Sequence, residues 1–270
     1  MSQEILMKIL DILEEREDEA IINCLMSTVD QHNINSICDY GCGDGRILKK
    51  IKKKLPLKIR YTGIDFWSNE YSKHKKPENE ESINFIDNGS PEIDEFIEYN
   101  QFGLVFSSFA LHHFRFPINE LKRIERLVAP EGNLILIDMF RDFTDMEKIA
   151  DNVHFFNSKM MMMALRGDYH RIPYTKEETC DLLLALDMKI IDQKVVEVEI
   201  TEKELTEFRT SVPEWYKIKA EKEYQDDVSQ SRHPALMDVF KSVQRFTADL
   251  INKYGTTPDN LLVTTAKKIS

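Results

Sequence analysis

Apolar positions in the first 34 residues fall at Ile5, Leu6, Ile9, Leu10 and Leu13, then at Ala20, Ile21, Cys24 and Leu25. Steps of three and four put such residues on one face of a helix, so two amphipathic helices are predicted. The pattern then changes. INSICDY is a short apolar run containing Asp39, followed by the glycines of GCGDG and then by ILKKIKKKL, which returns to helical spacing. That order is strand, tight turn, helix. IRYTGIDF, SINFIDNG and FGLVFSSF read as three more strands, and GNLILIDMF as a fifth, introduced by a turn at Pro130 to Gly132. INELKRIERLV, before the fifth strand, again has helical spacing. Strands alternating with helices imply a mainly parallel sheet with helices on both faces.

Beyond the fifth strand the chain is less regular. Residues 141–174 hold Phe143, Phe155, Phe156, the run Met160 to Met163 and the polar cluster RGDYHR. A helix is predicted from Thr175 to Leu186, then MKIIDQKVVEVEI as an alternating strand, then a mostly helical stretch over 201–258, and NLLVTTAKK as a last strand. Two late strands separated by a long excursion suggest an antiparallel last strand with a helical lobe inserted before it. The expected organisation is an N-terminal helical cap over 1–34, a core over 35–200 with a helical insertion at 141–174, a second insertion over 201–258, and a closing strand over 259–270.

A chain of 270 residues with 42% hydrophobic content can bury a full α/β core. Its net charge of -11 argues against a nucleic-acid surface, which draws its affinity from Lys and Arg. The basic run Lys49 to Lys54 alternates with Ile51 and Leu55 as the solvated side of a helix does. The opening MSQEILMKILDIL mixes acidic with apolar residues and does not read as a signal peptide, and no apolar stretch approaches a membrane span. Cys24, Cys38, Cys42 and Cys180 are too scattered for a disulfide framework, and Cys38 with Cys42 lacks a second pair at zinc spacing. A cytoplasmic protein without a metal, a nucleic-acid partner or a membrane partner is expected.

The central feature is DYGCGDG, Asp39 to Gly45, between the first strand and its helix. In doubly wound sheets this turn lies at the carboxyl edge, where nucleotides bind. A dinucleotide fingerprint needs G-x-G-x-x-G, whereas Gly41, Gly43 and Gly45 give G-x-G-x-G with Arg46 in the place of the last glycine, and no Gly-Lys-Ser/Thr follows as a P-loop requires. With this motif, and with FGLVFSSFALHHF ending in L-H-H after the fourth strand, the sequence resembles the class I S-adenosylmethionine-dependent methyltransferases over about residues 35–140. Gly103 stands where that family commonly has an Asp opening the fourth strand.

The resemblance implies a Rossmann-like, mainly parallel seven-stranded sheet and S-adenosyl-L-methionine as cofactor. It implies that Asp39 contacts the methionine end, with Gly41, Cys42, Gly43 and Gly45 forming the turn around it. Asp65 would accept the ribose hydroxyls, since a carboxylate has two acceptor oxygens for a vicinal diol. Phe66 would line the adenine, Asp87 would bind its amine with Asn88 beside it, and Ser107 and Phe109 would face the substrate and the sulfonium, a cation that aromatic faces stabilise. His112 and His113 are the candidate catalytic bases. Arg141, Tyr169, His170, Arg171 and Tyr174 are candidate substrate contacts, with Trp215, Tyr216, Arg232 and His233 further guesses in the late insertion. A small-molecule acceptor is expected, in a pocket closed by the N-terminal helices and the segments after strand five. A non-catalytic binding module and a protein or RNA methyltransferase are the alternatives.

Overall fold

The computed structural model describes residues 3–32, 34–55, 58–67, 75–78, 83–90, 92–99, 102–145, 148, 171–186, 188–213, 237–257 and 260–269. The chain forms two units: one of residues 18–139, 175–196 and 261–270, the other of residues 1–17, 140–174 and 197–260.

The first unit holds the sheet. Its strands are β1 (Ser36–Tyr40), β2 (Arg60–Asp65), β3 (Ile83–Asp87), β4 (Phe102–Ser108), β5 (Val128–Asp138), β6 (Met188–Val196) and β7 (Leu261–Lys268), in the spatial order β3-β2-β1-β4-β5-β7-β6. β1 to β5 pair in parallel, and β7 runs antiparallel between β5 and β6. This is the mainly parallel sheet that the alternation of elements predicted, with the antiparallel last strand read from the two late strands and the Rossmann-like, seven-stranded form that the resemblance implied. All five residues of β1 are buried, as a strand covered on both faces requires.

The helices are α1 (Gln3–His32), α2 (Arg46–Lys54), α3 (Glu92–Tyr99), α4 (Pro117–Leu127), α5 (Lys176–Leu184) and α6 (Met237–Tyr254); residues 202–213 are also helical. α2 buries Ile47, Leu48 and Ile51, while Lys50 and Arg46 reach the buried carboxylate of Asp18 on α1 at 2.8 and 2.9 Å. The basic run is thus the outer face of a helix with one edge paired to α1. α5 starts at Thr175, whose hydroxyl accepts from the Glu178 N–H while the Glu178 carboxylate accepts from the Thr175 N–H, a capping box.

Two expectations are corrected. The opening is one continuous helix, not two, because the intervening EEREDE contains no Gly or Pro to break it. The Pro130 to Gly132 segment does not precede β5 but lies inside it: β5 already pairs through Val128 with Phe102, shifts register, and resumes at Asn133 with Leu104. Glu131 takes a φ of 61° in this bulge.

In the second unit, Leu13, Phe208, Val212, Ala248 and Ile251 form an apolar cluster. Arg16 donates to Glu204 at 3.4 Å. Among the described residues, no helix is long and apolar enough to cross a membrane.

Candidate active site at the carboxyl edge of the sheet

β1, β2, β3, β4 and β5 end on one edge with Tyr40, Asp65, Asp87, Ser108 and Asp138. The chain goes from β1 to β2 on one side and returns to β4 on the other, so β1 and β4 flank the topological switch point. The glycine turn sits there. Gly41, Gly43 and Gly45 have φ of 83°, 56° and 73°, the left-handed region that favours glycine. A Cβ at Gly41 would lie 2.4 Å from the Ala110 Cβ, and one at Gly45 would lie 2.5 Å from the Phe85 ring. The glycines therefore let the turn pack against β3 and the segment after β4, a reason that spacing alone did not reveal. Cys42 is buried, and its N–H donates to the Ile64 carbonyl at 3.2 Å. Burial, then the nearby Asp39 and Asp65 carboxylates, push its thiol well above the usual range.

Asp65 ties β2 to this turn. One carboxylate oxygen accepts from the Gly43 N–H and the other from the Phe66 N–H, both at 2.6 Å. A carboxylate has about four acceptor directions across its two oxygens. Phe66 is exposed beside it. Trp67, which sequence reasoning missed, donates its indole N–H to the Gly43 carbonyl at 2.9 Å and meets the Phe85 ring edge-on. Its signal was available: an aromatic residue two positions after the second-strand acid.

Asp39, next to last in β1, is fully buried, and neither carboxylate oxygen has a hydrogen-bond partner. Burial, then the Asp65 and Asp44 carboxylates, hold its pKa well above the ordinary carboxylate value. The Ser107 hydroxyl, also buried, is likewise unpartnered. Two positions further on, Phe109 has a φ of 52°, held by its N–H to the Ile137 carbonyl at 2.9 Å. Bulky residues rarely take this conformation, and such strain clusters at functional sites.

Asn88 and Asp87 are placed differently from each other. The buried Asn88 amide donates to the Tyr40 hydroxyl at 2.8 Å, and that hydroxyl donates to the Glu120 carboxylate of α4 at 2.5 Å. Burial and the Glu120 charge push the Tyr40 phenol up. Asn88 is therefore engaged behind the edge, while Asp87 accepts from the Gly89 N–H at 3.0 Å in the turn after β3. Glu120 was also missed, because only the fold brings α4 to Tyr40.

His112 is buried in a single 3-10 turn (Leu111–His113) after β4. Its Nδ1 lies 2.7 Å from one Asp138 oxygen, and its backbone N–H donates to the other at 3.1 Å. Asp138 thus joins the turn to the end of β5; His113 is exposed. In the second unit, Arg141 donates to the Pro173 carbonyl, and the Arg171 guanidinium lies 3.6 Å from the Tyr174 ring centroid. Those three candidates are brought together within that unit. Tyr169 and His170, with Met160 to Met163, Trp215, Tyr216, Arg232 and His233, lie outside the described residues.

The family model described as a methyltransferase domain matches residues 3–185, more than half of the chain. A cyclopropane-fatty-acyl-phospholipid synthase-like protein from Lactobacillus casei ATCC 334 is similar at 13% identity, covering 98% of this chain and 100% of that one, with a TM-score of 0.60. The plantazolicin methyltransferase BpumL, solved with a triazolic desmethylPZN analog and SAH, is similar at 20% identity, covering 97% and 90%, with a TM-score of 0.51. At such identities the likeness is one of fold. No curated protein sequence matches the chain.

Proposed function

The chain belongs to the methyltransferase-domain family, so its reaction is S-adenosylmethionine-dependent methyl transfer, and we propose that the acceptor is a small molecule rather than a nucleic acid. The observation that carries the cofactor assignment is Asp39. A buried carboxylate without a partner is costly unless a cation meets it, and the methionine end of the cofactor carries an ammonium group. The orphaned Ser107 hydroxyl fits the same ligand, and Asp65, a carboxylate at the end of β2 beside the glycine turn, suits the ribose diol. Phe66 and Asp87 complete an adenine-binding side, with Asn88 holding the loop from behind.

S-adenosylmethionine supplies a methyl group already activated on a sulfonium, so the residues' task is positioning and exclusion of water. His112 acts through Asp138 to fix the turn that carries Phe109 and Ala110. Of the two histidines, His113 is the exposed one and the candidate to take a proton if the acceptor must lose one. Acceptor choice is assigned to residues 141–174 and 201–258, which lie outside the motifs that bind the cofactor. The small-molecule reading rests on the net charge of -11, which disfavours a polyphosphate partner.

Calorimetry with SAH and with NAD is the first test: saturable SAH binding is expected, and NAD binding without an SAH response overturns the cofactor assignment. Incubating the enzyme with radiolabelled S-adenosylmethionine and separate small-molecule, protein and RNA fractions then tests the acceptor. Label entering RNA or protein, with none in the small-molecule fraction, overturns the acceptor class.

A further inference from the structure

A groove of about 640 Å³ lies on one face of the antiparallel part of the sheet, walled by Cys24, Ser27 and Thr28 of α1. All its lining residues belong to the sheet unit. It is remote from the glycine turn: Asn133, in its floor, is five residues before Asp138, about 16 Å away along β5 at the usual strand rise. We propose that this groove is a second binding site, for a small amphipathic anion bearing a carboxylate or phosphate head on an apolar body.

Strand register carries the argument. Asn133 of β5 pairs with Lys267 of β7, which pairs with Lys189 of β6, and all three face the groove. Like charges directly opposite one another in a ladder repel, so an unoccupied Lys267–Lys189 pair opposes the pairing it sits in. Two ammonium groups and a carboxamide in one row suit an oxyanion, which accepts from all of them. Lys194 adds a third cation near Cys24. Lys189, Lys194 and Lys267 make no ion pair among the described residues, whereas Lys268 is committed to the Glu125 and Val128 carbonyls. Glu131 and Asp192 also line the groove, but neither stands in the Asn133–Lys267–Lys189 row. The next row along the ladder is Ile135, Thr265 and Asp192, and the apolar part of the lining is Ile135, Ile191, Val263 and Ile269. The groove thus offers cations for a head and aliphatic side chains for a body, and its volume is that of a small-molecule site.

Cys24 reports occupancy, since Cys38 and Cys42 are buried and Cys180 can be removed as Cys180→Ser. Maleimide labelling of Cys24 in the full chain is followed with octyl phosphate, decanoate, octyl glucoside and inorganic phosphate. Octyl phosphate or decanoate should slow labelling saturably, octyl glucoside should not, and inorganic phosphate should act only at concentrations about tenfold or more higher, as a head without its apolar body does. The double variant Lys189→Gln/Lys267→Gln should raise the half-saturating concentration about tenfold or more, with no fall in thermal midpoint. Equal protection by octyl glucoside, equal potency of inorganic phosphate, no protection by either anion, or unchanged binding in the double variant overturns the site.

Discussion

The two ends of the sheet unit are built with opposite charge. At the carboxyl edge, Asp39 is buried among carboxylates: Asp65 and Asp44 raise its pKa, and neither of its oxygens has a hydrogen-bond partner. Near the opposite edge, Lys189 and Lys267 stand side by side in the β6–β7 ladder, lining one groove, without ion pairs among the described residues. The protein's net charge of -11 predicts neither. What identifies a ligand is local charge that the fold leaves unanswered, because burial or register makes the unanswered state costly.

The largest expected effect follows from Asp39. Asp39→Asn should weaken SAH binding by about 3–5 kcal/mol, the range for leaving one member of a buried charge pair unmet. The ligand-free protein should respond in the opposite direction. The folded pKa lies above the ordinary value of 3.8, so the folded state holds this proton more tightly than the unfolded one. That contribution to stability is present below 3.8 and is lost as pH rises through the folded value. The Asn variant cannot undergo this loss, so its ligand-free thermal midpoint should exceed the parent's at neutral pH and converge with it in acid. A variant that binds SAH like the parent, or melts lower at neutral pH, would show that Asp39 is not an unanswered charge.

His112 comes next. His112→Ala should cost about 2–3 kcal/mol of stability, because it removes a buried side chain and leaves Asp138 without its ring partner. His112→Asn retains a donor and should recover much of that. If the residue positions the turn, the Asn variant lowers kcat while the pH–rate profile keeps its shape; loss of one limb of the profile would instead make His112 the base. Asp65→Asn should be milder, roughly 1.5–2 kcal/mol in SAH binding, since one acceptor oxygen remains. Its melting temperature should also fall slightly, because Asp65 accepts the Gly43 and Phe66 N–H groups even without ligand. Parental affinity in that variant would move the ribose acceptor elsewhere.

How much was legible in the sequence divides along the same line. The parallel strands, the glycine turn and the acids at or next to the ends of β1, β2 and β3 were readable because each depends on neighbours within a few positions. Local reading failed where distant segments meet. The Pro130 to Gly132 turn became a bulge because Val128 finds Phe102 across the ladder, and no local signal reports that pairing. The Tyr40–Glu120–Asn88 network joins three elements, and the lysine row of the groove joins β5, β7 and β6 through register, which a one-residue slip would abolish. Asp138 was the nearest miss: it ends a strand as the other acids do, but its partner His112 lies on a different element.

The smallest expected effect is the most discriminating for the basic end. Lys267→Gln removes one member of the facing pair while keeping a long polar side chain on β7. Relief of a like-charge cross-strand pair is worth about 0.2–1 kcal/mol, and solvent screening of these partly exposed ammonium groups places the expectation at the low end. The variant should therefore be slightly more stable than the parent in urea unfolding at low salt, and the gain should shrink as salt rises, since screening already weakens the repulsion in the parent. Lys189→Gln should give a similar gain, and the double variant little more than either single, because the repulsion is removed once. Additive gains would mean that each lysine is unfavourable for its own reasons, and a loss of stability in either single variant would mean that the pair is already answered within the chain.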